Sequence, residues 1–461
     1  MSEVALPQRL TLLLDESPLN KIQRWLWMLS TGGTLLDGYA IFVLGVAVPI
    51  IVADFHIQPE VVGLIGASLV FGAVIGAGVG GPMADHLGRK KLMLADMMIV
   101  GAGAFISSLA QGPAMLFIGQ LLVGIGVGID FPVSSSYVSE ILPKTSRARM
   151  MVATIACQSV GMLLAAAITL VLLRGEFAQP WRLFLATEGA VALLFFALRL
   201  SAPESPHWLT SRGKFAEATK AFIRIIPEQR QAVSQLAAND EKLATPVPHT
   251  SGGLPMLFSR RYRARTALVT VPWFLMDIAT YGVGLFTPTI LGAIQISRAT
   301  RGLTAQDFAL AKGSAVIDLF LLFGFLLGIW MVPRFGRIRM QIVGFTGMAA
   351  GMLILLIAVG LTNSSLHVPL VFAGFVLFNL LMNAGPNSTT FTLAPILFPT
   401  QLRGTAGGFA AAVAKLGATL GVFLLPIVKE KFGVPTVLGV VSAVSLLGLV
   451  VTLLLGHEDT E

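Results

Sequence analysis

Twelve stretches of this chain are apolar enough and long enough to cross about 30 Å of hydrocarbon. They lie at roughly 25–53, 61–84, 92–111, 114–140, 150–173, 182–200, 264–294, 312–333, 340–361, 367–395, 404–428 and 434–455. In lipid every backbone N–H and C=O must be satisfied within the protein, so only helices and closed barrels can span it. Barrel strands alternate in polarity over about ten residues, and these runs do not. The chain therefore reads as an all-α polytopic membrane protein with twelve transmembrane helices. Its 461 residues are 55% hydrophobic and only 12% charged, where a soluble domain carries about 25%. The single cysteine, Cys157, excludes an internal disulfide framework. The N-terminal MSEVALPQRLTLLLDESPLNK has no long apolar core and does not read as a cleaved signal.

Lys and Arg set the orientation. One series of short loops carries Arg89, Lys90 and Lys91; Lys144, Arg147 and Arg149; Arg334, Arg337 and Arg339; and Arg403. On the other side, loops 54–60, 111–113 and 362–366 hold no Lys or Arg; the rest hold Arg174 and Arg182, Arg298, Arg301 and Lys312, and Lys429 and Lys431. The positive-inside rule places the first series in the cytoplasm. Twelve crossings then put both termini there, with the polar stretch 201–263. The net charge of +8 is explained by these loops and implies no nucleic acid. The expected domains are an N-terminal six-helix bundle (1–200), a cytoplasmic linker (201–263), too short and irregular for a separate domain, and a C-terminal six-helix bundle (264–461).

The halves echo one another. GPMADHLGRKK (81–91) follows the second crossing and VPRFGRIRM (332–340) the eighth, an offset of 248 residues between Gly88 and Gly336. PKTSR (143–147) and PTQLR (399–403) are offset by 256. Similar offsets suggest one duplicated six-helix unit, the plan of many secondary transporters, with a site between the halves.

The seventh run holds the most informative charge. VTVPWFLMDIATYGVGLF (270–287) carries one carboxylate, Asp277, with Trp273 four residues before it and Tyr281 four after. Residues spaced by four share one helix face. Asp277 lies twelve residues beyond Arg265, and Lys415 twelve beyond Arg403. Each is about 18 Å deep at 1.5 Å per residue. Asp130 and Asp37 count to about 15–20 Å. Charge near the midplane costs at least about 2.5–3.5 kcal/mol, so such groups face a bundle interior and pair. Asp277 and Lys415 have equal depth and opposite sign. A structural ion pair between helices would fit the same pattern. Asp96 and Glu188 lie in or near apolar runs with no partner legible in the sequence. His56, His86 and His367 are isolated, so no metal site is expected. Nor is there a nucleophile–base motif, Walker loop or dinucleotide fingerprint, so neither an enzyme, ATP drive nor a cofactor is expected.

These motifs together resemble the major facilitator superfamily, along nearly the whole chain. Gly81, Asp85, Gly88, Arg89 and Lys90 match its signature loop between helices two and three, which implies a cytoplasmic latch between helices. The second copy has Pro333 in place of the acid, which implies a weaker latch there. PESPHWLTSRGK (203–214) is similar to the loop after helix six of sugar porters. GIGVGIDFPVSSSYVSEILPKTSR (124–147), with Gly124, Gly126 and Gly128 ahead of Asp130, resembles helix four of phosphate:proton symporters. PWFLMDIATYG resembles their helix seven. Gln158 matches on helix five, GPNSTTF with Asn387 on helix ten, and AKLGA with Lys415 on helix eleven. Two positions depart: Phe131 stands where those symporters have Tyr, and Ala40 where they have a second acid after Asp37.

The expected binding set is thus Phe131, Gln158, Trp273, Asp277, Tyr281, Asn387 and Lys415, with Asp37, Asp130 and Asp277 as proton carriers. Asp130, among glycines that exclude water, is expected to favour its neutral form and to relay with Asp37. One cation among neutral donors suits a small oxyanion. An ionised Asp277 accepts the hydroxyl protons of dihydrogen phosphate and repels sulfate, which has none. The sequence predicts a monomeric proton symporter of phosphate or a similar anion, working by alternating access. A hydroxylated organic acid or a sugar would satisfy much the same groups. A membrane sensor that binds the anion without transport is the rival of a different class.

Overall fold

A computed structural model describes residues 6–57, 59–175, 177–240, 253–284, 303–361 and 364–456. Arg298 and Arg301, the end of the seventh apolar run and positions 241–252 of the linker lie outside the described residues, as does the side chain of Lys312.

The first half is built from α1 (Leu6–Glu16), α2 (Lys21–Ser30), α3 (Gly32–Phe55), α4 (Pro59–Leu87), α5 (Arg89–Ser108), α6 (Pro113–Ile141), α7 (Lys144–Leu173) and α8 (Pro180–Arg199). The linker holds α9 (Pro206–Ser211), α10 (Phe215–Ile225), α11 (Arg230–Asp240) and α12 (Gly253–Leu257). The second half follows with α13 (Arg263–Gly284), α14 (Leu303–Phe335), α15 (Arg337–Gly360), α16 (His367–Met382), a π-helical turn at Asn383–Asn387, α17 (Ser388–Leu397) and α18 (Thr400–Leu455). Helix α18 supplies two crossings, because Gly433 leaves helical geometry at φ 82°. Among the described residues, ten spans meet the length and apolarity needed to cross a bilayer. Helices α13 and α14 occupy the seventh and eighth places. The fold is the all-α, twelve-helix architecture read from the apolar runs.

The duplication is visible in the backbone. Gly88 (φ 100°, ψ 162°) and Gly336 (φ 86°, ψ 156°) cap the starts of α5 and α15 in the same left-handed turn. That conformation costs glycine least, which is why both copies of the motif carry it. Pro143 and Pro399 likewise precede α7 and α18 with nearly equal angles.

Small residues set the packing inside each half. A Cβ on Gly124 would stand 1.9 Å from the Leu69 carbonyl, and one on Gly128 2.3 Å from that of Ala73. Helices α4 and α6 therefore touch backbone to backbone, the close approach that small residues permit in membranes. Between the halves, α4 packs on α18 and α7 on α14.

The described part of the linker is helical. Leu10 and Leu14 of α1 are fully buried with Phe222, Ile225 and Val233, so α1 docks onto the linker helices as a cap on the basic face. Asp15 pairs with Arg147, Asn20 Nδ2 donates to the Ile225 carbonyl at 2.8 Å, and Thr11 Oγ1 lies 3.2 Å from His207 Nε2.

Burial brings His207 down to about 4 from its usual 6.5; Glu140 opposes the shift, and Arg403 and Arg147 add to it. The docked cap thus prefers neutral histidine. Its contribution is complete above about pH 6.5 and is lost as pH falls toward 4. Hydrogen exchange of α1 should accelerate by about tenfold between pH 7.5 and pH 5 after correction for intrinsic rates, and His207→Gln should flatten that dependence. Equal protection of wild type at both pH values would contradict it.

Candidate functional site: a buried lysine between the two halves

Helix α13 presents Trp273, Asp277 and Tyr281 along one face, with Trp273 and Asp277 buried. Helix α18 brings Lys415 to the same level. Lys415 Nζ donates to the Tyr281 hydroxyl at 2.6 Å. The Asp277 carboxylate stands further off, at 3.9 Å, and its Oδ2 has no hydrogen-bond partner among the described residues. The ammonium also lies 4.9 Å from the ring centre of Phe131 and 4.8 Å from that of Tyr281. Aromatic faces stabilise a desolvated cation by ~2 kcal/mol. Lys415 is therefore held by a neutral hydroxyl, two rings and a carboxylate too far for a hydrogen bond. Its remaining N–H donors are uncommitted among the described residues.

The wall beside it is aromatic. Phe131 from α6, Trp273 from α13 and Phe391 from α17 meet edge to face at 6.3–6.5 Å between ring centres. Phe131 belongs to the first half and the other two to the second, so the site closes across the interface.

Asp37 on α3 accepts from Gln158 Nε2 on α7 at 2.7 Å and lies within Coulombic range of Lys415. The expected set thus converges except for two members. Asn387 is half-buried and donates to Asn383 Oδ1 at 2.8 Å within its own π-helical turn. Such turns recur at functional sites because they re-aim side chains.

Asp130 differs more. Its Oδ1 accepts from Arg199 Nη2 at 2.8 Å, an ion-pair partner that the glycines around it did not disclose. Arg199, at the end of α8, also binds both oxygens of Asp96 at 3.0 and 3.1 Å and the carbonyls of Leu29, Ser30 and Met93. All three side chains are buried. Asp96 thereby gains the partner its sequence did not disclose. Arg199 was hidden because a basic residue at the end of an apolar run looks like a topology marker. Glu188 stays buried without a hydrogen bond among the described residues.

The signature loop does join helices. Asp85 Oδ2 accepts from the Thr405 N–H and hydroxyl, both at 2.8 Å, and Oδ1 from the Gly404 N–H at 3.2 Å. A Cβ on Gly81 would meet the Gly404 carbonyl at 2.3 Å. Arg89 is fully buried and forks onto both Glu140 oxygens at 3.0 and 3.1 Å. Arg403 reaches the same carboxylate at 3.3 Å, so Glu140 binds a cation from each half. Gly88 provides the turn, and Lys90 Nζ donates to the Leu200 carbonyl. The sugar-porter-like loop takes part: Glu204 accepts from the Arg89 and Lys90 N–H groups, Ser205 donates to Glu140, and Trp208 Nε1 donates to the Asp85 carbonyl. In the second copy Arg334 turns back onto Trp330. The contact there includes Val152 and Val332 from opposite halves, an apolar seam where the first copy has an ionic one.

Comparison with known proteins is consistent with this geometry. The xylose symporter XylE, a proton-coupled member of the major facilitator superfamily solved with 6-bromo-6-deoxy-D-glucose, shares the fold with a TM-score of 0.76 at 21% identity, covering 94% of this chain and 95% of the other. The inner membrane metabolite transport protein YgcS of Escherichia coli is 30% identical over 96% of this chain and 94% of its own. The low affinity inorganic phosphate transporter 4 of Lotus japonicus is 30% identical over 74% of this chain and 70% of its own. The family match and the 30% identical relative make the chain a membrane transporter, and its fold is that of the major facilitator protein XylE. Residues 25–458 match the family described as "Sugar (and other) transporter", and the chain belongs to that family.

Proposed function

We propose that this transporter is a proton-coupled symporter that imports inorganic phosphate or a similar small anion by alternating access. In this reading the basic face, with both termini, lies in the cytoplasm. The observation that carries it is Lys415: a buried ammonium with a 2.6 Å bond to a neutral tyrosine and its nearest carboxylate at 3.9 Å. Such a cation can accept an anion without first breaking a tight ion pair. Asp277 beside it suits an anion that carries its own protons, which dihydrogen phosphate does and sulfate does not. The relatives named for inorganic phosphate transport support the same class. The contacts of Asp85 and Glu140 across the halves would then be the latch that opens to release substrate.

The Asp96–Arg199–Asp130 cluster supports a place for the proton. Two carboxyl groups share one guanidinium, and Asp130 Oδ2 has no hydrogen-bond partner among the described residues. Burying the cluster with a net negative charge costs several kcal/mol, so one proton balances it. Arg199 also holds the carbonyls of Leu29 and Ser30 just before α3, the helix that carries Asp37.

A second reading, a hydroxylated organic acid as substrate, is favoured by the aromatic wall of Phe131, Trp273 and Phe391. Uptake of radiolabelled phosphate, sulfate and several carboxylates into proteoliposomes, with and without a pH gradient, separates the two. Gradient-driven phosphate uptake is expected; carboxylate uptake without phosphate uptake would overturn it. Phe131→Tyr should tighten phosphate binding about 2- to 12-fold, the worth of one neutral hydrogen bond of about 0.5–1.5 kcal/mol. Weaker binding would favour the bulkier substrate. Asp130→Asn should keep counterflow but lose accumulation driven by the gradient, with Asp37→Asn milder. Full accumulation by Asp130→Asn would remove the cluster from the proton route.

A further inference from the structure

Helix α2, KIQRWLWMLS, is amphipathic and lies at the basic end of the first crossing. Gln23, Leu26 and Leu29 point inward and are buried. Its outer face leaves Lys21 and Arg24 exposed, with Trp25 and Met28 43% and 42% exposed. Beside it runs an open groove of about 500 Å³ against the start of α7, lined by Lys21, Arg24, Trp25, Trp27, Met28 and Met150 among others. Trp27 fixes the groove: its Nε1 donates to the Met150 carbonyl at 3.0 Å and to Thr154 Oγ1 at 2.9 Å. The capping box between Asn20 and Gln23 fixes the helix start.

The charge in this groove is one-sided. No lining residue is acidic, and neither Lys21 nor Arg24 has an ion-pair partner among the described residues. They stand three positions apart, one helical turn, above a floor of indole rings and methionine. This is the complement of a molecule with an anionic head and an apolar tail. Indoles settle at the lipid headgroup boundary, and juxtamembrane Lys and Arg attract anionic lipid. A free anion would leave the apolar floor unused, and a zwitterionic lipid would leave the two charges uncompensated.

We propose that this groove binds one anionic phospholipid, with its headgroup phosphate between Lys21 and Arg24 and its acyl chains along Trp25, Met28 and Met150. Helix α2 leads into α3, which carries Asp37, and α7 carries Gln158. The lipid therefore straddles the seam between the helices that hold the Asp37–Gln158 pair, and it braces that seam from the membrane side. The inference is independent of which substrate is carried.

Native mass spectrometry of the purified full-length protein, titrated with phosphatidylglycerol or phosphatidylcholine, tests it. The wild type should bind one phosphatidylglycerol roughly tenfold or more tightly than phosphatidylcholine. The double variant Lys21→Glu/Arg24→Glu should lose that preference, and the milder Lys21→Gln/Arg24→Gln serves if charge reversal prevents folding. Arg260→Glu, at an exposed position outside the groove, changes the net charge by as much as Lys21→Gln/Arg24→Gln and should keep it. Millimolar inorganic phosphate should not displace the lipid. Equal binding of the two lipids by wild type, a preference that survives the double variant or is lost equally in Arg260→Glu, or displacement by phosphate alone would each overturn the proposal.

Discussion

A lysine ammonium buried at the level of Lys415 cannot be left to itself, because a charge at the bilayer centre costs at least about 2.5–3.5 kcal/mol. The structure meets that cost from several directions at once: a hydroxyl from α13, aromatic faces from α6 and α13, and carboxylates from α13 and α3. No single partner takes the whole charge. That dispersal gathers helices from both halves around one point, and it leaves the cation able to exchange partners. A short, bidentate ion pair would have stabilised the same lysine while closing it to an anion.

The other buried charges follow a different rule. Arg89 and Arg199 are each fully engaged, with several hydrogen bonds to carboxylates and carbonyls. Glu140 collects Arg89, Arg403 and Ser205. Removing one partner from such a cluster strands the rest, which costs about 3–5 kcal/mol. These clusters suit states that are either formed or broken: the Arg89 cluster between the halves at the basic face, the Arg199 cluster within the first half. The aromatic wall supplies the complementary apolar contact near Lys415, so polar and apolar closure occur at different depths.

Much of this was legible in the sequence. The apolar runs dictated helices through the backbone's need for hydrogen bonds, and the paired Gly-Arg and Pro motifs foretold the matching turns at Gly88 and Gly336. Depth counting brought Asp277 and Lys415 together because both are numbered from a basic helix end. The same counting could not supply the partner of Asp130. Depth says nothing about which neighbour a helix face meets, and Arg199 was disguised by its place at a run's end. The docking of α1 on the linker was not legible for a related reason: the linker helices are short, and the apolar face of α1 packs with Phe222 and Val233, more than 200 residues away.

The central claim is that the charge of Lys415 holds the transported anion. Equilibrium binding of radiolabelled phosphate to purified wild type and Lys415→Gln, with thermal melting to confirm that both are folded, tests it most directly. A charge-assisted contact of this kind predicts weakening on the order of 100-fold. A glutamine variant that binds phosphate as tightly as wild type would contradict the account.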